Sequence, residues 1–315
     1  MVEITTRRVD TNGIALSVQE AGDGPPVLLC HGWPELGHSW RHQIEALAAA
    51  GYRAIAPDMR GFGGSDAPDD IADYTLLHLV GDMVGLLDGL EIDQSVIVGH
   101  DWGAPVAWQS SLMRPDRFRA VAGLSVPYSP RAPRPHLEVL REAGMHRFYQ
   151  LYFQEPGRAE AELEADVRQS VIRIIGNSDA EKVWDGMIAE TGLLDAFPAR
   201  DAPPAYLSEA DVKVYVDAYT ASGYRGGLNW YRNMERNHAL LAPWAGAKVS
   251  VPSLFIAGER DLVLAWEASQ RAVAALPQNC LRHAGSHIIP GVGHWVQQEA
   301  PDAVNDALLG FLRGL

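Results

Sequence analysis

Short runs of consecutive apolar residues alternate along this chain with longer stretches in which apolar positions recur every three or four residues. Pro26 to Cys30 is such a run, with Val27, Leu28, Leu29 and Cys30 in succession, and predicts a strand buried on both faces. Ser39 to Ala50 then reads as helix and Tyr52 to Pro57 as strand, ending at Asp58. From Thr75 to Leu90 the apolar positions Leu76, Leu79, Val80, Met83, Leu86, Leu87 and Leu90 keep helical period, with Thr75 or Asp73 as N-cap. Ser95 to Val98 predicts a strand, Ala104 to Met113 a helix and Arg119 to Leu124 a strand. Toward the C-terminus the rhythm resumes: Ser253 to Ala257 strand, Trp266 to Ala275 helix, His287 to Ile289 strand, Asp302 to Leu315 helix. Such alternation predicts an α/β fold with a mostly parallel sheet covered on both faces.

Between roughly Tyr128 and Ala245 the pattern is helical with little strand character. Arg158 to Ile175, Glu181 to Thr191 and Glu209 to Ala221 read as helices, and Pro130, Pro133 and Pro135 mark the entry. The expected organisation is a sheet core in two pieces, residues 1–128 and 244–315, interrupted by an inserted helical cap at 129–243.

Composition narrows the partners. The 315 residues are 47% hydrophobic and 21% charged, which is ordinary for a globular chain of one large domain or a core with an inserted subdomain. The 26 Lys and Arg against 40 Asp and Glu give a net charge of -14, so the field repels phosphate and nucleic acid is not expected as a partner. No run of about 18 apolar residues predicts a membrane span. The start, MVEITTRRVDTNG, lacks an apolar stretch of signal-peptide type. The two cysteines, Cys30 and Cys280, have no metal-like spacing, and Cys30 reads as a core thiol. A cytoplasmic location is expected.

Four segments carry chemistry. Gly99-His100-Asp101-Trp102-Gly103 follows one short strand and opens a helix. Glycines two residues either side of a polar residue allow the tight turn that projects a nucleophile, and here that residue is a carboxylate, Asp101. Carboxylate attack on an ester or amide gains only an anhydride. Attack on an sp³ carbon leaves an alkyl ester that water can hydrolyse, which suits a strained epoxide or a halide. His31-Gly32-Trp33-Pro34 follows the first apolar run and could aim the Trp33 N–H at the nucleophile turn, beside that of Trp102, as an oxyanion hole. Gly258-Glu259-Arg260-Asp261 and Gly291-Val292-Gly293-His294-Trp295 complete the set. His294 would take a proton from water and Asp261 would orient it. Glu259 is a competing acid at the same turn, and Asp261, at the loop's end, is preferred. Of the 11 histidines, His42, His78, His136 and His238 read as surface or core residues.

These segments resemble the epoxide hydrolase branch of the α/β-hydrolase superfamily over almost the whole chain. The resemblance runs from His31-Gly32-Trp33-Pro34-Glu35 and Ser39-Trp40-Arg41-His42-Gln43, through Gly99 to Gly103, to Gly293-His294-Trp295. Phe148-Tyr149-Gln150-Leu151-Tyr152-Phe153-Gln154-Glu155-Pro156-Gly157 and Gly227-Leu228-Asn229-Trp230-Tyr231-Arg232-Asn233 look like the family's two lid motifs, each of which supplies a tyrosine that holds the epoxide oxygen. Matched residue by residue, these are Tyr149 and Tyr231. A neutral phenol can hydrogen-bond and protonate a developing alkoxide. By spacing alone Tyr152 rivals Tyr149, since residues three apart share a helical face. The chain departs from the pattern at Trp33, where Phe is more usual. Haloalkane dehalogenases resemble it around the nucleophile but typically carry Asn at that position, and fluoroacetate dehalogenases typically have Arg where Trp102 stands. Both departures argue against halide.

The expectation is therefore hydrolysis of small-molecule epoxides to vicinal diols through an ester on Asp101. His294 and Asp261 would activate water, and Tyr149 and Tyr231 would polarise the epoxide oxygen. Pocket walls would come from Trp33, Pro34, Trp102, Tyr152 and Trp295. No metal or organic cofactor is expected, because nucleophile, base and acid are all side chains. A homodimer is compatible with the pattern. The competing readings are a haloalkane dehalogenase on the same Asp101 and a non-catalytic hydrolase-like binder, the latter disfavoured by a full triad.

Overall fold

A computed structural model describes residues 2–176 and 184–315. In chain order the core begins with β1 (Thr5–Asp10), β2 (Ala15–Ala21), β3 (Pro26–Cys30), α1 (Arg41–Ala49), β4 (Arg53–Pro57), α2 (Leu76–Gly89), β5 (Ser95–His100), α3 (Gly103–Met113) and β6 (Phe118–Leu124). The insertion contributes α4 (His136–Glu142), α5 (Tyr149–Tyr152), α6 (Arg158–Ala165), α7 (Val167–Ile175), α8 (Glu209–Ser222), α9 (Arg225–Arg232) and α10 (Met234–Leu240). β7 (Val249–Gly258), α11 (Glu267–Asn279), β8 (Cys280–Ile289), α12 (Val296–Glu299) and α13 (Pro301–Arg313) close the core.

One sheet runs in the order β1-β2-β4-β3-β5-β6-β7-β8. The pairs from β4 to β8 are parallel, while β1–β2 and β2–β4 are antiparallel. β5 is buried at every position, as its unbroken apolar run requires of a strand covered on both faces. α2 starts at Thr75, whose hydroxyl accepts from the His78 N–H, and it buries the periodic Leu76, Leu79, Val80, Met83, Leu86 and Leu87. The chain leaves β3 to pair β4 on one side and returns to pair β5 on the other, so a crevice opens beyond the carboxyl ends of β3 and β5.

Three expectations are corrected. β1 and β2 form an antiparallel edge hairpin where no strand was expected; β1 exposes all but Val9, so its sequence lacks an apolar run. The stretch Arg158 to Ile175 is two helices, broken at Asp166 (φ −147°, ψ 88°), whose carboxylate caps α7 through the Gln169 N–H. The helix expected at Glu181 to Thr191 is absent over its described part. From Trp184 onward the chain is irregular: Asp185 takes the Met187 N–H, Gly186 adopts φ 83°, and Met187 bridges Phe148. Residues 181–183 of that expectation lie outside the described residues.

Among the described residues between β6 and β7 the regular elements are helices, joined by irregular stretches, and the one strand-like contact is that bridge. Trp230 Nε1 donates to the Arg60 carbonyl at 3.0 Å, and the Leu76 N–H donates to Asn237 Oδ1 at 2.8 Å, seating α9 and α10 on the core. Asp211 of α8 meets His38 Nε2 at 2.7 Å and Arg41 Nε at 3.0 Å. Among the described residues no helix is long and apolar enough to cross a membrane.

Candidate active site

The carboxyl ends of the parallel strands bring the motif residues together. Asp101 follows β5 with φ +48°, a left-handed conformation costly for any residue but glycine. The flanking Gly99 and Gly103 lack positive φ; what they supply is room. A Cβ on Gly99 would stand 2.0 Å from the Gly103 carbonyl oxygen, and one on Gly103 2.0 Å from the Cys30 carbonyl oxygen. A Cβ on Gly32 would stand 2.4 Å from Asp101 Oδ1. These glycines let the turn after β3 press against the turn after β5, and the Trp33 N–H donates to Asp101 Oδ1 at 2.8 Å. The Trp102 N–H makes no such bond to the carboxylate.

On the other side of Asp101 lies His294, with Nε2 3.6 Å from Oδ2. Its Nδ1 is 2.9 Å from Asp261 Oδ1 and 3.0 Å from Ser125 Oγ. Asp261 is fixed in turn by the Val263 N–H at 2.9 Å. Glu259, the competing acid, instead accepts the Gly291 N–H at an exposed position. Beneath the triad His100 Nε2 donates to the His294 carbonyl at 2.8 Å, while its Nδ1 lies 2.7 Å from Glu35 Oε2. Glu35 also accepts from Gln297 and Gln298, and the cluster is buried.

Charge couples the pair at the centre. Burial alone would raise the Asp101 carboxyl, but the nearby His294 and His100 and the Trp33 N–H outweigh it, leaving its pKa below the ordinary value. Burial alone would lower His294, but the charges of Asp261 and Asp101 hold it well above the ordinary imidazole value.

Asp101 and His294 face a small cavity of about 50 Å³. The core contributes Trp33, Leu262, Val263 and Trp295; the insertion contributes Tyr149, Ile174, Trp184, Phe197 and Tyr231. Tyr149 and Tyr231 pack edge to face at 5.8 Å between ring centroids, and Tyr231 sits at 5.1 Å on Trp102. Burial, then the Asp101 charge, raises the Tyr149 phenol; burial, then Tyr149, raises Tyr231. Both stay protonated at neutral pH. Gln150 Nε2 donates to the Tyr149 hydroxyl at 3.0 Å.

Of the expected walls, Trp33 and Trp295 line the cavity, and Pro34, Trp102 and Tyr152 are not among its described lining residues. Trp102 backs Tyr231 instead. Tyr152 turns away and donates to Glu162 Oε2 at 2.6 Å, so of the helical pair it is Tyr149 that faces Asp101's cavity. Sequence reasoning missed Ser125, Glu35 and Gln150 as partners. Glu35 and Gln150 lie inside quoted motifs, whereas Ser125 carried no signal beyond ending a strand. Among the described residues no group of His, Cys, Asp and Glu is arranged to hold a metal ion.

A family model described as the alpha/beta hydrolase fold matches residues 25–301. Epoxide hydrolase A of Mycobacterium tuberculosis is 46% identical, covering 99% of this chain and 98% of its own length. The chain belongs to the epoxide hydrolase branch of the α/β-hydrolase family. Another family member, an epoxide hydrolase of Caballeronia sordidicola, is 44% identical over 97% of this chain and 92% of its own. The crystal structure of epoxide hydrolase A from Mycobacterium thermoresistibile superposes with a TM-score of 0.93 at 43% identity, covering 99% of both chains. An epoxide hydrolase from an endophytic Streptomyces gives 0.94 at 43%, covering 99% of this chain and 96% of that one.

Proposed function

We propose that this enzyme hydrolyses small-molecule epoxides to vicinal diols through an ester on Asp101, beneath a cap formed by residues 129–243. The observation that carries the reading is the opposition, across one apolar cavity, of a carboxylate and two protonated phenols. Asp101 Oδ2 attacks an epoxide carbon, the C–O bond to the ring oxygen breaks, and Tyr149 or Tyr231 gives its proton to the departing oxygen. Oδ1, already held by the Trp33 N–H, becomes the carbonyl oxygen of the ester. Water then gives a proton to His294 Nε2 and adds to Cγ of Asp101. The oxyanion is held by the Trp33 N–H, with the Trp102 N–H as second donor. Collapse expels the alkoxide, which takes the proton back from His294 to complete the diol; the proton of the regenerated carboxyl returns to the phenolate, leaving Asp101 as a carboxylate that carries one oxygen from water. Loss of a halide would need a donor pair for the anion and no phenols, so the tyrosine pair favours the epoxide.

Trapping tests this. With His294→Gln the alkylation step survives and water activation is lost. Mass spectrometry of the intact protein after exposure to styrene oxide should show one adduct of substrate mass on the peptide bearing Asp101. An adduct elsewhere, or none with an epoxide the parent enzyme turns over, would exclude the covalent route.

A further inference from the structure

Ser125 lies directly after β6, the strand between those that carry Asp101 and Asp261. It is fully buried and adopts φ +70°. A left-handed conformation is costly for serine and free for glycine, so a side chain kept there is one that is used. Its Oγ stands 3.0 Å from His294 Nδ1, the nitrogen that also meets Asp261 Oδ1 at 2.9 Å. With the Nδ1 proton directed at a carboxylate, the hydroxyl oxygen can only accept, and the one N–H is shared between two oxygens. Among the described residues no other hydrogen bond holds the Ser125 side chain; its N–H goes to the Ile256 carbonyl.

We propose that Ser125 is a positioning residue for the base: its hydroxyl oxygen is a second acceptor for the His294 Nδ1–H, fixing the ring's orientation and stabilising the imidazolium formed when water is deprotonated. The proposal rests on the two-step reading above and assigns Ser125 to the second step alone. Nothing places it near the epoxide, because it is absent from the cavity wall. The titratable groups facing the ring are Asp101 and Asp261 at its two nitrogens and His100, whose ring centroid is 5.0 Å away; none is altered by changing Ser125.

Two variants separate the hydroxyl from the backbone. Ser125→Ala deletes the oxygen and keeps the strained Cβ. Ser125→Gly deletes both and is the safer fold, since glycine accepts this φ without strain. In both, single-turnover decay of the ester should slow by about 10-fold, the scale of one hydrogen bond to a charged group, with the rate of ester formation unchanged. NMR titration of the His294 ring in the resting protein should place its pKa lower in both variants than in the parent. That second measurement needs no substrate. A parent enzyme that forms no ester on Asp101 therefore refutes the covalent reading, whereas an unmoved His294 pKa refutes the role of Ser125. Ester decay at the parent rate in Ser125→Gly would also overturn it. A loss of heat stability in Ser125→Ala, absent in Ser125→Gly and with both other readouts unmoved, would show that the serine only fills space.

Discussion

In the proposed mechanism, alkylation of Asp101 would remove a negative charge that helps hold His294 protonated. In the resting protein the ring's pKa is well above the ordinary value because Asp261 and Asp101 both face it, against the opposing effect of burial. A ring kept as imidazolium cannot take a proton from water. Once Asp101 is an ester, one of the two charges is gone, the ring's pKa falls, and the base becomes available at the step that needs it. Ester decay measured against pH should therefore rise to a plateau with an apparent pKa lower than that found for His294 by NMR in the resting enzyme. Equal values would mean that Asp101 does not control the base. The same pair sets a stability window. His294, raised on folding, stabilises fully below its unfolded pKa of about 6.5, and this is lost as pH climbs through the folded value; Asp101, depressed on folding, stabilises above about 4, and this is lost as pH drops through its folded value. Both contributions are complete between about pH 4 and 6.5, so the melting temperature of Asp101→Asn should fall furthest below the parent's in that interval. In the proposed mechanism the phenols act at the other step. Tyr149→Phe and Tyr231→Phe should each slow ester formation by about 10–100-fold, less than the 10²–10³ typical of a sole donor, and the double change should fall much further while ester decay holds. Tyr152→Phe should leave ester formation at the parent rate, since its hydroxyl serves Glu162.

At the scale of elements, the distance between the two phenols is set by a clamp within the insertion. Arg232, at the end of α9, donates from Nε to the Phe153 carbonyl at 3.0 Å and pairs with Glu160 of α6 at 2.7 Å. Gln154 Nε2 reaches back to the Tyr231 carbonyl at 3.1 Å. The segment bearing Tyr149 and the helix bearing Tyr231 are thus tied by nearly buried polar groups. Removing one partner of such an ion pair leaves the other uncompensated. Arg232→Met should cost roughly 3 kcal/mol in chemical denaturation. Below its melting temperature it should slow ester formation and spare ester decay, because Asp261 and His294 stand on the core. Adding Glu160→Leu should restore part of the stability; an Arg232→Met variant with parental stability would show the clamp to be idle. Elements with an unbroken apolar run or a clean helical period, such as β3, β5 and α2, were legible because burial on a known face dictates their composition. β2 offered only the alternation of Leu16 and Val18. The stretch after Trp184 failed as a helix because its aromatic faces the cavity and Phe197, not a helical neighbour, so tertiary contact overrode local pattern.

For the whole molecule, the motif residues were legible because each strand-end turn leaves a local mark: glycine, a polar side chain, the start of a helix. The acceptor at Ser125 was not, since it meets His294 across 169 residues and only the order of β6, β7 and β8 brings them together. Nor could spacing choose Tyr149 over Tyr152, because the choice depends on how the insertion sits on the core. That seating rests on a backbone contact. A Cβ on Gly226, in α9, would stand 2.2 Å from the Gly61 carbonyl oxygen, and one on Gly61 would stand 2.8 Å from Gly226 Cα. Neither partner is a flexible side chain that could swing aside, and Gly61 also has φ 85°. In Gly226→Ala the helix must lift, straining the bonds from Trp230 to the Arg60 carbonyl and from Asn233 Nδ2 to the Ile71 carbonyl. Tyr231 lies five residues along the same helix and moves with it, away from Asp101 on the core. The expected result is an overpacking cost of about 1–3 kcal/mol together with slower ester formation, while ester decay stays near the parent rate because no group of that step belongs to α9. A Gly226→Ala enzyme with parental melting temperature and parental ester formation would show that the insertion is seated elsewhere. Slowing of both steps alike would mean that the change propagates into the core triad and that cap and core are not separable in their chemistry.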